Sequence, residues 1–288
     1  MKKTETAAYY VLSPDEGTEA APIFFDSPHS GKEYPEDFKY QVPFSELHSA
    51  EDAYVDELYS AAPDFGAELI AAKFPRSYID TNRDELDFDL AELSGQWDGK
   101  APNPTIKTQM GKGLVWMRMK QDIDIYDQPI TTDMLKHRIE TFWRPYHDRI
   151  AVAYDALTEK FGYAYHIDCH SMPNAGVEGD PGGTAERADF VLGDRDGTTC
   201  EAGFTAAAKE FLESKGYSVA VNDPYKGAEL VYRYGKPDQN RHSLQIEINR
   251  KLYMDQISGD KIPEFNDLKA NLTEMVQHLV NYAKVAGK

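Results

Sequence analysis

Short apolar runs that end in chemistry-bearing polar residues recur along this chain. Pro22-Ile23-Phe24-Phe25 leads into Asp26-Ser27-Pro28-His29-Ser30-Gly31, and the run from Phe161 to Ile167 leads into Asp168-Cys169-His170-Ser171. Each reads as a buried strand followed by a break, and α/β enzymes place their chemistry at such strand ends. Further strands are predicted at Ile23–Phe25, Ala67–Ala72, Ser77–Asp80, 163–167, Phe190–Gly193, Ser218–Val221 and Ser243–Ile248. Helical spacing predicts Asp52–Ala61, where Tyr54, Val55, Leu58 and Tyr59 recur and Pro63 follows. The longest helical region is Thr131–Lys160, with Thr132 as its cap and Pro145 expected to kink or divide it. Glu201–Ser214 is stopped by Lys215-Gly216, and Leu268–Val285 closes the chain. Loops are expected at 31–50, 84–114 and 172–187; the second is long enough to suggest a lid.

Strands alternating with helices predict an α/β fold with a mixed, mostly parallel sheet. No linker or repeat interrupts the 288 residues, so a single domain spanning 1–288 is expected. Hydrophobic residues make up 41% of the chain, enough for a sizeable core. The net charge of −18 argues against nucleic-acid or anionic-membrane partners, although a locally basic pocket could still take an anion. Two cysteines, Cys169 and Cys200, make no disulfide framework. The start, Met1-Lys2-Lys3-Thr4-Glu5-Thr6, is not an apolar leader, and no run approaches the roughly 18 apolar residues of a membrane span. A cytoplasmic location is the expectation.

His29 and His170 are the leading metal-ligand candidates, because catalytic metal sites combine a few protein ligands with one open position. The alternative is two unrelated loop histidines. A carboxylate third ligand could come from Glu33, Glu51, Asp52 or Asp56. On the strand Leu244–Arg250, alternation sets Gln245, Glu247 and Asn249 on one face, and Glu247 suits a general base. Otherwise it is a structural partner of Arg250 or Arg241. Arg83, with Asn82, suits recognition of a carboxylate; Arg76, Arg233, Arg241 and Arg250 are weaker candidates. Cys169 beside His170 could be a nucleophile, but a buried thiol is favoured. No Gly-x-Ser-x-Gly elbow supports a serine hydrolase.

Six segments, taken in order, resemble the N-formylglutamate amidohydrolases: Phe25–Gly31, Glu51–Asp56, Ile79–Arg83, Ile167–Met172, Val221–Gly227 and Gln245–Met254. The likeness runs from about residue 20 to 260. That family is similar in fold to the zinc carboxypeptidases, which implies a three-layer α/β/α sandwich and a single zinc, or another divalent ion. The resemblance maps His29 and His170 onto the histidine ligands. The His-x-x-Glu pattern of carboxypeptidases is absent, since position 32 is Lys32, so Asp52 is taken as the acidic ligand with Asp56 in reserve. Asn82 and Arg83 then hold a substrate carboxylate, Glu247 is the catalytic glutamate, and Tyr253 covers the substrate. Arg233 or Arg241 would meet a second carboxylate. The activity implied is metal-dependent hydrolysis of N-formyl-L-glutamate, a small anionic N-acyl amino acid, in histidine degradation. Deacylation of another N-acyl amino acid, or binding without catalysis, are the alternatives.

Overall fold

Two-residue alternation divides each central strand between two different cores. On one face lie Ile23, Phe25, Tyr165, Ile167, Cys169, Leu244, Ile246 and Ile248. Phe24 and Ala164 face the other core. Both sets are buried, and each large apolar side chain removed from water contributes roughly 1.5–3 kcal/mol. A sheet covered on both faces in this way forms the middle of three layers.

The computed structural model describes residues 1–120, 123–176 and 182–286. The strands are β1 (Lys2–Glu5), β2 (Tyr9–Ser13), β3 (Ile23–Ser27), β4 (Glu68–Ala72), β5 (Arg118–Lys120), β6 (Ile123–Asp124), β7 (Ala164–Met172), β8 (Phe190–Gly193), β9 (Val219–Val221) and β10 (Arg241–Asn249). Eight form one sheet in the order β1-β2-β4-β3-β7-β10-β8-β9, while β5 and β6 pair separately. The centre, β4-β3-β7-β10, is parallel. Strands β1, β2 and β4 pair antiparallel, β8 runs antiparallel to β10, and β9 is parallel to β8.

The helices are α1 (Phe44–His48), α2 (Val55–Leu58), α3 (Ile106–Gln109), α4 (Thr132–Arg138), α5 (Arg144–Phe161), α6 (Ala202–Ser214), α7 (Glu229–Tyr234) and α8 (Phe265–Ala286). Helices α2, α6 and α8 pack on the face of Phe25 and Ile167. Helices α4 and α5 cover the other. The α/β/α sandwich with a mixed, mostly parallel centre is therefore present. Among the described residues no helix is long and apolar enough to cross a membrane.

Several elements differ from expectation. Strands β1 and β2 were not foreseen: β1 is polar throughout, whereas β2 lies in the apolar run 7–12, which the strand assignment left out. Strand β7 runs on to Met172, because the polar residues 166, 168 and 170 continue its alternation on one face. No helix begins at Asp52: Tyr54 takes a left-handed conformation (φ 65°) and the helix starts at Val55. Ser77–Asp80 is not a strand. Tyr78 N donates to Pro75 O and Asp80 N donates to Leu114 O, so its backbone donors serve turns and a loop contact instead of a ladder. Thr131, not Thr132, caps α4 by accepting from Met134 N. Between α4 and α5 the helix passes through a π turn, Ile139–Trp143, just before Pro145. The 84–114 segment is anchored by Asp87, whose carboxylate accepts from Thr105 N, Thr105 Oγ1 and Thr108 Oγ1. Of the 172–187 loop, residues 177–181 lie outside the described residues.

Gly31 fixes the path of the chain just after His29. A β-carbon there would stand 2.3 Å from Phe74 O and 2.5 Å from Lys73 C. Both neighbours are backbone and cannot turn aside. Gly31→Ala should therefore destabilise the fold by about 1–3 kcal/mol, read by urea or thermal unfolding. An unchanged midpoint would show that this approach is not a constraint.

Candidate active site

Strands β3 and β7 are parallel neighbours, so their carboxyl ends open on the same side of the sheet. His29 lies just past the end of β3, and His170 lies near the end of β7. Strand β10 adds Glu247 in register with His170. Ligands of open α/β sheets bind at such strand ends.

Asp52 reaches this point from the loop between α1 and α2. Its amide donates to His29 O (3.0 Å), and Ser30 Oγ donates to Asp52 O (3.0 Å). Its Oδ2 lies 2.9 Å from His170 Nδ1 and 3.4 Å from His29 Nδ1. The donor atoms of His29, Asp52 and His170 all lie within 4.8 Å of one another, and all three residues are buried. Arg250 Nη2 donates to Asp52 Oδ1 (3.0 Å), with Arg76 Nη1 at 3.9 Å. One carboxylate oxygen is thus held by arginine and the other is turned to the imidazoles.

The far sides of the rings set their tautomers. His29 Nε2 donates to Asp80 Oδ1 (2.8 Å), and Asp80 is fixed in turn by Arg76, Trp116 Nε1 and Asn82 N. His29 Nδ1 then presents a lone pair, and it has no hydrogen-bond partner. His170 Nε2 lies 2.8 Å from Asp168 Oδ1 on the same strand face and 3.0 Å from Asn82 Nδ2. Asn82 Oδ1 is taken by Leu230 N, so Asn82 Nδ2 donates to Nε2, and Nδ1 of His170 bonds to Asp52 Oδ2. Two imidazole nitrogens and one carboxylate oxygen gathered in one buried place are a donor set that suits a divalent metal.

Burial and charge oppose each other across the pocket. Burial would raise the Asp52 carboxyl, but the hydrogen bond to His170, the nearby His29 and the charge of Arg76 hold it well below the carboxylate range. Burial would lower His170, yet the charge and hydrogen bond of Asp168 and the bond to Asp52 hold it well above its ordinary value. Burial would also raise Asp80, which Arg76, His29 and Arg83 keep well below normal. Glu247 differs: burial, with the nearby charges of Asp52 and Asp168, pushes it up to about 7 against the pull of His170 and Arg76. Gln245 Nε2 donates to Glu247 Oε1 (2.9 Å) and orients it.

Asn82 and Arg83 stand beside this group. Asn82 Oδ1 accepts from Leu230 N. Arg83 donates from Nη1 to Asn82 O (2.8 Å) and from Nε to Lys112 O (3.2 Å), both uncharged carbonyls. Burial pulls its pKa down, only partly offset by Asp80. A partly buried guanidinium held by neutral carbonyls is suited to receive an anion.

Other sequence candidates fall elsewhere. Asp56 accepts from the Tyr10 hydroxyl (2.6 Å), outside the cluster. Glu33 pairs with Lys73, and Glu51 with Tyr34 and His48. Arg233 is committed to Glu229 (2.7 Å) and Asp84 (2.8 Å), which leaves it poorly placed for a second carboxylate. Arg241 begins β10, at the opposite end from Glu247, and pairs with Asp155. Tyr253 is fully buried, its ring packed near Phe265 and its hydroxyl acted on by Ser171, Arg250, Asp52 and Glu247, so it borders the site from the core side. Cys169 faces that same core, and burial pushes its thiol well above its ordinary value, which fits a structural thiol. The reading of Glu247 as a partner of Arg250 or Arg241 does not hold: Arg250 binds Asp52, Ser49 and Ser171.

Sequence reasoning missed Asp80, and it weighed Arg250 for a substrate carboxylate or for Glu247 but not for Asp52. Asp80 was visible in Asp80-Thr81-Asn82-Arg83, but nothing in the spacing ties it to His29. Arg250 reaches Asp52 across the fold, a pairing that local pattern does not reveal.

Comparisons with known proteins point to one family. A family model described as N-formylglutamate amidohydrolase matches residues 21–254. The chain is 28% identical over 240 residues to an N-formylglutamate deformylase of Pseudomonas putida, covering 82% of each. It is 29% identical over 206 residues to an N-formylglutamate deformylase of Pseudomonas aeruginosa, covering 71% of each. The crystal structure of an N-formylglutamate amidohydrolase from Ralstonia eutropha superposes with a TM-score of 0.92 at 41% identity, covering 98% of this chain and 100% of that one. With the family model spanning most of the sequence, and a 41% identical structure matched over nearly its whole length, this chain belongs to the N-formylglutamate amidohydrolase family.

Proposed function

We propose that this protein is a metal-dependent amidohydrolase that cleaves N-formyl-L-glutamate to formate and L-glutamate, a step of histidine degradation in the cytoplasm, with residues 1–288 acting as one domain. The observation that carries this reading is the convergence of His29 Nδ1, Asp52 Oδ2 and His170 Nδ1 in one buried pocket, with the pocket-lining Glu247 in register beside His170. The names of the relatives supply the substrate class.

His29, Asp52 and His170 would hold the ion, with zinc favoured for two imidazoles and a carboxylate, as other divalent metals also suit this set. When bound, such an ion supplies Lewis-acid charge that polarises the formyl carbonyl and lowers the pKa of water toward about 7. Glu247 is the general base. Gln245 occupies Oε1, which leaves Oε2 to take a proton from the attacking water. The water oxygen bonds to the formyl carbon. Glu247 then returns the proton to the leaving nitrogen as the C–N bond breaks. Formate and the free amino group of glutamate result. Arg83, with Asn82 beside it, binds a substrate carboxylate and sets the formyl group over the pocket.

Formate release from N-formyl-L-glutamate should stop on chelation and return with zinc. Glu247→Gln should keep the metal while losing roughly 10²- to 10⁴-fold in kcat; metal loss in that variant would contradict the assignment. Arg83→Ala should raise KM by roughly 10- to 100-fold, and an unaltered KM would remove Arg83 from substrate recognition. Arg250→Met frees Asp52 Oδ1 and should weaken metal affinity by roughly 10- to 100-fold in a competition titration with a chromophoric chelator. Unchanged affinity there would show that Arg250 does not hold the ligand.

A further inference from the structure

The segment from Tyr78 to Arg83 has no helix or strand of its own, yet it supplies Asp80, Asn82 and Arg83 to the site. Functional groups on loops need a rigid support to hold their geometry. That support comes from one side of the long helical region. Arg138 Nη1 donates to Tyr78 O (2.9 Å), His147 Nε2 to Thr81 O (2.8 Å) and Trp143 Nε1 to Arg83 O (3.0 Å). Three side chains grip three carbonyls within six residues.

The π turn aligns these donors. Residues 138 and 143 are five apart, a spacing that an α-helix would place on different faces. The single wide turn at Ile139–Trp143 brings them to one side. Trp143 and His147, four apart, then continue that side through α5. Their rings stack with centroids 3.7 Å apart and planes at 22°, and both residues are 4% exposed.

The surroundings fix each donor. Arg233, held by Glu229 and Asp84, lies 5.2 Å from the centre of the Trp143 ring on the cation–π side. The Tyr234 hydroxyl lies 3.0 Å from His147 Nδ1. Burial, helped by the charge of Arg233, lowers His147 to about 3, so the ring is neutral and Nε2 carries its proton toward Thr81 O. Among the described residues the hydrogen bonds of Trp143 and of the His147 ring go to the two loop carbonyls and to Tyr234.

We propose that Trp143 and His147 are positioning residues for substrate-carboxylate recognition, acting through the carbonyls of Arg83 and Thr81 to hold Asn82 and Arg83 in place. This rests on the reading of Arg83 as the carboxylate receptor. It gives Arg233 a role as the backing of Trp143 in place of direct contact with substrate.

The test uses the full-length zinc-loaded protein and reads three quantities: kcat and KM for N-formyl-L-glutamate, Kd for glutarate, and zinc stoichiometry. Glutarate carries two carboxylates but no scissile amide. Trp143→Phe keeps an aromatic ring and deletes the N–H; His147→Leu deletes the other donor. Each should raise KM and the glutarate Kd by roughly 3- to 10-fold, the worth of one neutral hydrogen bond, with kcat within about threefold and zinc unchanged. His147→Gln, which can place an N–H near the Nε2 position, should recover most of the loss. Unchanged KM and Kd in folded variants would overturn the inference, as would a fall in kcat alone or in thermal stability alone. If His147→Leu does not fold, Trp143→Phe and His147→Gln carry the same comparison. Wild-type protein that binds glutarate but releases no formate would sink the proposed reaction and leave this inference standing. Wild-type protein that binds no glutarate would overturn the inference whether or not formate appears.

Discussion

A buried carboxylate oxygen facing two imidazole nitrogens is the contact on which the rest of this site depends. Asp52 Oδ2 stands 2.9 Å from His170 Nδ1 and 3.4 Å from His29 Nδ1. A carboxylate and two imidazoles so placed are held together by positive charge, whether an imidazole proton or a bound ion supplies it. The surrounding architecture preserves that arrangement. Asp80 accepts a hydrogen bond from Nε2 of His29, Asp168 lies against Nε2 of His170, and Arg250 holds the other oxygen of Asp52. None of these partners is close in sequence to the group it fixes, apart from Asp168. The sheet makes the meeting feasible by setting the carboxyl ends of β3, β7 and β10 side by side.

Most of the fold was legible because it follows from period-two alternation. Strand β7 shows why: Tyr165, Ile167 and Cys169 enter one core, while His166, Asp168 and His170 turn to the other face. The histidines and Glu247 could be read from the same pattern, since a polar residue on an otherwise buried strand stands out. Asp52 was harder. It was assigned to a helix start, whereas the left-handed Tyr54 delays the helix and leaves Asp52 in a loop bound to His29 O. The family resemblance, not the spacing, separated it from Asp56.

What could not be read were pairings made by tertiary structure alone. Asp80 and His29 lie 51 residues apart, and Arg250 and Asp52 lie 198 apart. Arg233 was a fair candidate for a substrate carboxylate by residue type, but Glu229 and Asp84 already engage it. Tyr253 was placed over the substrate by its nearness in sequence to Glu247. A short 3-10 turn, Arg250–Leu252, follows β10, and Tyr253 packs its ring in the core with Ser171, Asp52 and Glu247 acting on its hydroxyl. The net charge of −18 likewise hid a pocket region where Arg76, Arg83 and Arg250 gather.

The central claim is that one divalent ion is held by Nδ1 of both histidines and by Asp52. Diffraction from zinc-loaded crystals on either side of the zinc absorption edge tests it most directly. The expected result is a single anomalous peak in this pocket, bonded to His29 Nδ1, Asp52 Oδ2 and His170 Nδ1, with bond lengths near 2.0–2.2 Å. A peak bonded to Nε2 of either histidine, a peak that excludes Asp52, or no peak in this pocket would contradict it.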